Sequence, residues 1–218
     1  MYKSIGSPFS GAGSVEKRKI KRIIEIIAGY ACVVLSAPIM ITVGMMIRLQ
    51  MGTPVIFRQI RAGMNGKPFI LYKFRTMLNT EQKGVLLSDE KRITKIGRLL
   101  RNTSLDELPE IVNILKGDMS FVGPRPLLMQ YLERYSSEQA RRHEVKPGLT
   151  GWAQINGRNG IDWDQKLKLD VWYVDHQSLR LDIKIIGLTI CKVIRRDGIG
   201  HEDMATMPEF VGTRSEAT

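Results

Sequence analysis

The run from Ile26 to Ile47 constrains this chain more than any other stretch. It holds roughly 22 residues without a charged side chain, long enough to cross a hydrocarbon core. A basic cluster, Lys17-Arg18-Lys19-Ile20-Lys21-Arg22, stands before it, and Arg48, Arg58, Arg61 and Lys67 follow. The run is too long for a secretory signal and no small-residue cleavage site closes it, so it reads as a membrane segment. Ser36-Ala37-Pro38 sits near its centre. Pro38 removes the hydrogen bond to the carbonyl of Val34 and clashes with that turn. In lipid the freed carbonyl needs a new partner, and the Ser36 hydroxyl is well placed to help. A kinked spanning helix and a helix–break–helix hairpin both fit. Cations on both flanks ask for the cytoplasmic side, which favours the re-entrant hairpin.

The 218 residues leave room for one domain with a core beside this segment. The expected division is a Gly/Ser-rich flexible tail (1–16), the re-entrant membrane helix (17–50), a domain at the cytoplasmic face (51–200) and a polar tail (201–218). A net charge of +11 asks for an anionic partner, whether nucleic acid, an acidic membrane face or a phosphorylated substrate. Scattered aromatics and the lack of a nucleic-acid motif argue against the first. Cys32 and Cys191 lack metal-ligand spacing and give neither a disulfide framework nor a zinc site. The glycines do not follow a Walker or Rossmann spacing, and no internal repeat is present.

The chemistry concentrates in Arg101-Asn-Thr-Ser-Leu-Asp-Glu-Leu-Pro-Glu110. Ser104 and Glu107 have capping-box spacing, and Leu108, Ile111, Val112 and Leu115 repeat behind them at helical intervals. Lys116-Gly117 is a stop signal. This predicts a short helix with Asp106 and Glu107 in its first turn, where unpaired N–H groups and the helix dipole favour anions. Two carboxylates beside Arg101 could hold a divalent metal, and one could attack phosphorus. The plainer alternative is that Glu107 only caps the helix.

Val55–Phe57 and Phe69–Tyr72 flank Asn65-Gly66, which predicts a hairpin whose second arm carries Lys73 and Arg75 on one face. Lys91–Arg101 predicts a basic amphipathic helix, lying in a membrane interface or packed on the core. Arg125 stands between Pro124 and Pro126 on a stiff backbone, suited to gripping a phosphate or to a plain structural turn. Tyr131–Glu144 reads as a helix with His143 at the surface or in a structural role. Val145–Asn159 reads as a loop, and Asp162 onward and Leu181–Val193 read as helices. The fold class is therefore α+β, mostly helical with a small β-hairpin, carrying an N-terminal re-entrant (helix–break–helix) membrane hairpin and interfacial amphipathic helices.

Several stretches, taken in order, resemble the monotopic phosphoglycosyl transferases, small PglC-like bacterial enzymes. They are Ser36-Ala-Pro38, Tyr72-Lys-Phe-Arg-Thr-Met77, Ser104-Leu-Asp-Glu-Leu-Pro109, Gly117-Asp-Met-Ser-Phe-Val-Gly-Pro-Arg-Pro126, Lys146-Pro-Gly-Leu-Thr-Gly151 and Asn156-Gly-Arg-Asn159. The resemblance runs from about Lys17 to Gly200, and the chain resembles the minimal form that lacks extra N-terminal membrane helices. Ala37 stands where the family usually has the serine before the membrane proline.

The resemblance implies transfer of a sugar-1-phosphate from a UDP-sugar to a polyprenol phosphate such as undecaprenyl phosphate, releasing UMP, at the cytoplasmic face of the bacterial inner membrane. It implies a ping-pong route with Asp106 as nucleophile and Glu107 assisting with metal positioning or proton removal. Mg²⁺ would sit at Asp106 and Glu107, with Arg101 and Arg125, and also Lys73 and Arg158, as phosphate ligands. Membrane lipids are the remaining partner, nucleic acid is not expected, and a homo-oligomer is left open. The rival reading is a non-catalytic, membrane-anchored basic adaptor.

Overall fold

The computed structural model describes residues 12–78, 81–82, 85–86, 88–157, 161–195 and 209–212. Helix α1 spans Ala12–Met51 and so begins inside the stretch expected to be a flexible tail. Its winding continues through Pro38. The Ser36 hydroxyl donates to the carbonyl of Cys32 (2.6 Å), not to that of Val34. A helical serine reaches the carbonyl one turn back, and Val34 is only two residues away. The part from Lys19 to Met51 is long and apolar enough to cross a membrane.

Both ends of α1 dock on the domain that follows, while its middle is bare. Near the start, Arg22 donates to the carbonyls of Ile114 (2.6 Å) and Leu115 (2.7 Å), and Lys21 pairs with Asp182 at 2.7 Å. Gly29 allows close approach, since a Cβ there would lie 2.7 Å from a methyl of Leu115. Near the end, Val43, Ile47 and Met51 share a core cluster with Phe74, Ile96 and Leu100. Between them Val34 and Leu35 are 71% and 78% exposed.

Strands β1 (Ile56–Ala62) and β2 (Pro68–Phe74) form the expected antiparallel hairpin, with Ile60 opposite Ile70. Asn65 (φ 57°) and Gly66 (φ 69°) take the left-handed conformations that these two residue types tolerate. A two-residue ladder of β3 (Glu81–Gln82) and β4 (Val85–Leu86) follows. The basic stretch then divides into a single turn, α2 (Asp89–Arg92), and α3 (Lys95–Asn102). Thr94 is extended between them and its hydroxyl accepts the Gly97 N–H, so an N-cap interrupts the expected single helix. Ile96 and Leu100 enter the core, whereas Leu99 stays outside.

Ser104 corrects the sequence reading most sharply. It sits at φ 56° and its side chain makes no cap bond. Left-handed backbone there ends α3, in the manner of a C′ residue, and excludes the extended geometry of an N-cap. Leu105–Glu107 form a 3-10 turn, and helix α4 (Glu110–Lys116) begins only after Pro109. Its end is as expected, with Gly117 at φ 90° donating to the carbonyls of Asn113 and Ile114. Asn113, fully buried, fixes α4 to the hairpin by accepting from Tyr72 N (3.1 Å) and donating to Ile70 O (2.7 Å).

Strand β5 (Ser120–Val122) pairs in parallel with β6 (Gly148–Thr150). Between them the expected helix over Tyr131–Glu144 is three short pieces: a 3-10 run Met129–Arg134, α5 (Ser137–Ala140) and a 3-10 turn Arg141–Glu144. Tyr135 and Ser136 are extended, and Ser136 opens a capping box with Gln139, which places a start signal inside the segment. The expected loop contains α6 (Trp152–Asn156). Helix α7 (Trp163–His176) is capped by the Asp162 carboxylate, which accepts from Gln165 N at 2.7 Å. Helix α8 (Leu179–Arg195) closes the domain. Phe210 packs beside Tyr131, Tyr135 and Trp163.

A buried ion pair ties the irregular segment to α7. Arg142 and Asp170 are each 2% exposed, and the guanidinium reaches one carboxylate oxygen through Nε (3.1 Å) and Nη2 (2.8 Å). Removing one partner strands the other charge in the interior. Asp170→Ala should therefore lower unfolding free energy by about 3–5 kcal/mol in urea titration, and a loss below about 1 kcal/mol would contradict this role.

Candidate active site

Three segments converge on one carboxylate. Glu107 lies in the 3-10 turn, and its Oε1 accepts both Lys73 Nζ of β2 (2.8 Å) and Arg125 Nη2 of the loop after β5 (2.5 Å). Lys73 also pairs with Glu110 of α4 at 3.1 Å. Glu107 is thus an organiser of two cations and does not cap a helix. Lys73 and Glu107 are 34 residues apart in sequence, and Arg125 and Glu107 are 18 apart.

The Arg125 loop is stiff for two reasons. Prolines flank the residue, and its carbonyl accepts Arg142 Nη2 (2.7 Å), so the buried Arg142–Asp170 pair holds the loop from behind. Arg101 donates through Nε to Thr76 Oγ1 (3.1 Å) and acts electrostatically on Asp106. Arg75 leaves the group: β2 ends at Phe74, and Arg75 bonds the carbonyls of Thr53 (2.8 Å) and Met77 (3.1 Å). Arg158 lies outside the described residues. Ser36 and Pro38 lie within α1.

Asp106 differs from its neighbours in having no hydrogen bond or ion pair among the described residues, although it is only 8% exposed. Burial, with the adjacent Glu107 charge, pushes its pKa up to about 6 against the pull of Lys73, Arg125 and Arg101. Burial would also raise Glu107, but Arg125 and Lys73 outweigh it and hold the group well below the usual carboxylate range. Glu110 is raised by burial, with Lys73 opposing. At neutral pH the site therefore holds an ionised, doubly paired carboxylate beside an unpaired one. Lys73, Arg101 and Arg125 carry one charge more than Glu107 and an ionised Asp106 together, and burial keeps part of Glu110 neutral, which suits an incoming phosphate.

The oxygens also fit Mg²⁺. Among the described residues both oxygens of Asp106 and Oε2 of Glu107 remain uncommitted, and Mg²⁺ commonly takes one or two carboxylates with the rest of its shell from water and substrate phosphates. Among the described residues no three His, Cys, Asp or Glu side chains cluster as metal ligands, so the substrate would have to complete the shell.

Sequence reasoning missed Glu110, Arg142 and Asp170. Glu110 left a faint signal, a carboxylate three residues after Glu107 on a helix otherwise marked by apolar positions. His143 is buried with Nδ1 against the Gly63 carbonyl (3.1 Å), and burial pushes its pKa down to about 3. It is a neutral structural histidine.

An unpaired carboxyl among three cations suits chemistry on phosphorylated groups, and the long apolar helix that the domain clasps is compatible with membrane anchoring. Residues 16–196 match the family described as bacterial sugar transferase, and the chain belongs to that family. It is 53% identical over 195 residues to the uncharacterized sugar transferase EpsL of Bacillus subtilis (strain 168), covering 89% of this chain and 96% of that one. It is 40% identical to the UDP-glucose:undecaprenyl-phosphate glucose-1-phosphate transferase of Escherichia coli (strain K12), covering 85% of this chain and 42% of the relative. It is 39% identical to the undecaprenyl-phosphate galactose phosphotransferase of Salmonella typhimurium, covering 83% and 42%. The chain thus spans under half the length of the last two. Membership of a transferase family sets aside the adaptor reading.

If ionised Asp106 is the reactive form, activity is lost as pH falls through its pKa. The logarithm of kcat/KM should rise with pH below about 6 and level off above it. A flat profile between about pH 5 and 8 would remove Asp106 as the titrating group.

Proposed function

We propose that the chain is a phosphoglycosyl transferase that moves a sugar-1-phosphate from a UDP-sugar to undecaprenyl phosphate at the cytoplasmic face of the bacterial plasma membrane. The unpaired carboxyl of Asp106 beside Lys73, Arg101 and Arg125 carries this reading. The activities for which the Escherichia coli and Salmonella relatives are named supply its substrate class.

In the first step an Asp106 oxygen attacks the β-phosphorus. The bond from that phosphorus to the bridging oxygen breaks, UMP leaves, and a phosphosugar ester of Asp106 remains. In the second, a phosphate oxygen of the lipid attacks the same phosphorus and expels the Asp106 carboxylate, giving the lipid diphosphate sugar. Lys73 and Arg125 neutralise charge on the transferring group, and Glu107 keeps both aimed when no phosphate is present. A general-base role for Glu107 fits poorly with its depressed pKa. A phosphate monoester, with its second pKa about 6, is already largely deprotonated at neutral pH and needs no base. Held by Asp106 and Glu107, Mg²⁺ would supply further neutralisation of the diphosphate.

The re-entrant topology is supported by the docking of both α1 flanks on one domain. Along a straight helix Arg22 and Ile47 would stand roughly 37 Å apart. A bend at Pro38 would bring both flanks to the same membrane face without leaving helical winding.

The test is UMP release from UDP-glucose and UDP-galactose with undecaprenyl phosphate and Mg²⁺. Asp106→Asn should reduce turnover by about three orders of magnitude or more, and a variant retaining a tenth of wild-type turnover sinks the nucleophile. Without lipid, the wild type should release UMP in a burst stoichiometric with enzyme; a sequential mechanism gives none. Chelation of Mg²⁺ should abolish transfer, and undiminished transfer would remove the metal from the mechanism.

A further inference from the structure

A cavity of about 220 Å³ opens beside the carboxylate pair, and of the groups given above a part in phosphate chemistry only Glu107 lines it. Leu108, Phe121 and Leu149 form one wall, and Ile186, Ile190 and Val193 of α8 form the other. Its polar members are mostly engaged with protein. Thr150 and Thr189 bond each other through their hydroxyls (2.7 Å), Thr189 also bonds the Ile185 carbonyl (2.8 Å), and Gln154 Nε2 donates to Leu149 O (3.3 Å). Among the described lining residues Gln154 Oε1 is a buried acceptor without a partner, and Ser104 and Lys192 are the other polar side chains besides Glu107. A uracil ring or a hexose would leave most of its own donors and acceptors unmatched there, which is costly. A hydrocarbon chain has no donors or acceptors of its own to leave unmatched and gains by burial against the apolar lining.

The cavity shares Ile186 and Ile190 with an outward apolar stripe of α8. Leu179, Ile183, Ile186 and Ile190 recur at helical spacing on the outward side of α8, where Ile183 is 70% and Ile190 54% exposed. Asp182, on the same helix, binds Lys21 in the basic flank of α1 at 2.7 Å. That flank lies just outside the apolar run, so with the run inserted in lipid the start of α8 would stand at the level of the headgroups. An exposed apolar stripe on α8 therefore runs into the cavity that Glu107 lines.

We propose that this cavity receives the phosphate-proximal isoprene carbons of the polyprenol phosphate acceptor. Its phosphate then meets the cations Lys73 and Arg125, and Lys192 in the cavity lining adds a positive charge. The assignment rests on the acceptor named under Proposed function. It gives α8 a role in acceptor binding and leaves the nucleotide-sugar to the remainder of the site.

Ile190→Trp is the first variant, because a half-exposed position accepts a larger side chain that also fills the cavity. With undecaprenyl phosphate and a UDP-sugar that the wild type uses, KM for the lipid should rise about tenfold, equivalent to about 1.4 kcal/mol, with no rise in KM for the UDP-sugar. Ile190→Gln keeps the bulk, removes the apolar match and should shift the lipid KM in the same direction. Leu188→Trp, on α8 but outside the cavity, should match the wild type. Each variant is checked by its melting temperature, and Ile190→Gln carries the test if the tryptophan unfolds the domain. A rise in KM for the UDP-sugar instead would assign the cavity to the nucleotide-sugar and overturn the proposal, as would no change in either constant. A wild type that transfers nothing to undecaprenyl phosphate refutes the function itself, an outcome separate from either of these.

Discussion

The shared acceptor Oε1 of Glu107 is the interaction on which the site depends. One oxygen holds a lysine from the hairpin and an arginine from the loop after β5, so a single carboxylate fixes the relative positions of three chain segments. Without it Lys73 and Arg125 would repel each other across a partly buried space, at a cost that low polarity magnifies. Because both cations use the same oxygen, the second oxygen of Glu107 and the whole Asp106 carboxyl are left open. Structural pairing and chemical availability are thereby divided between adjacent residues.

That division needs rigid support, and the support is polar and buried. Asn113 joins α4 to the β2 backbone, and Arg142–Asp170 reaches the carbonyl of Arg125 from behind. Such groups contribute modest net stability but are costly to leave half-paired, so they specify one arrangement of the loops. The same logic applies where α1 meets the domain: Arg22 donates to the carbonyls of Ile114 and Leu115 in the last turn of α4, where carbonyls lack the next helical N–H. Helix α1 therefore also serves as the C-terminal cap of the helix that follows the Asp106–Glu107 turn.

Several elements were legible from local chemistry alone. Asn65-Gly66 gave away the hairpin, Gly117 the end of α4, and Asp162 the start of α7, because each of these residues acts within a few positions of itself. Failures arose where two local signals competed for one residue. Ser104 looked like an N-cap but terminates α3, and Thr94 and Ser136 open caps inside runs whose apolar spacing reads as continuous helix. The residue types of the site were legible too, Lys73, Arg101, Asp106, Glu107 and Arg125 being singled out by spacing and by resemblance. Glu110 was not, since its carboxylate becomes part of the site only when β2 lies against α4.

By itself the sequence determined an apolar segment flanked by cations, a basic domain, and a carboxylate pair set among arginines. These follow from composition and from contacts within one or two turns. Only the tertiary structure decided which carboxylate is free. Asp106 and Glu107 are neighbours with almost the same side-chain chemistry, yet one is held ionised by two cations brought from 34 and 18 residues away and the other is left buried and unpaired. Ionisation depends on desolvation and on charges within a few ångströms, and those are properties of packing that no local pattern encodes.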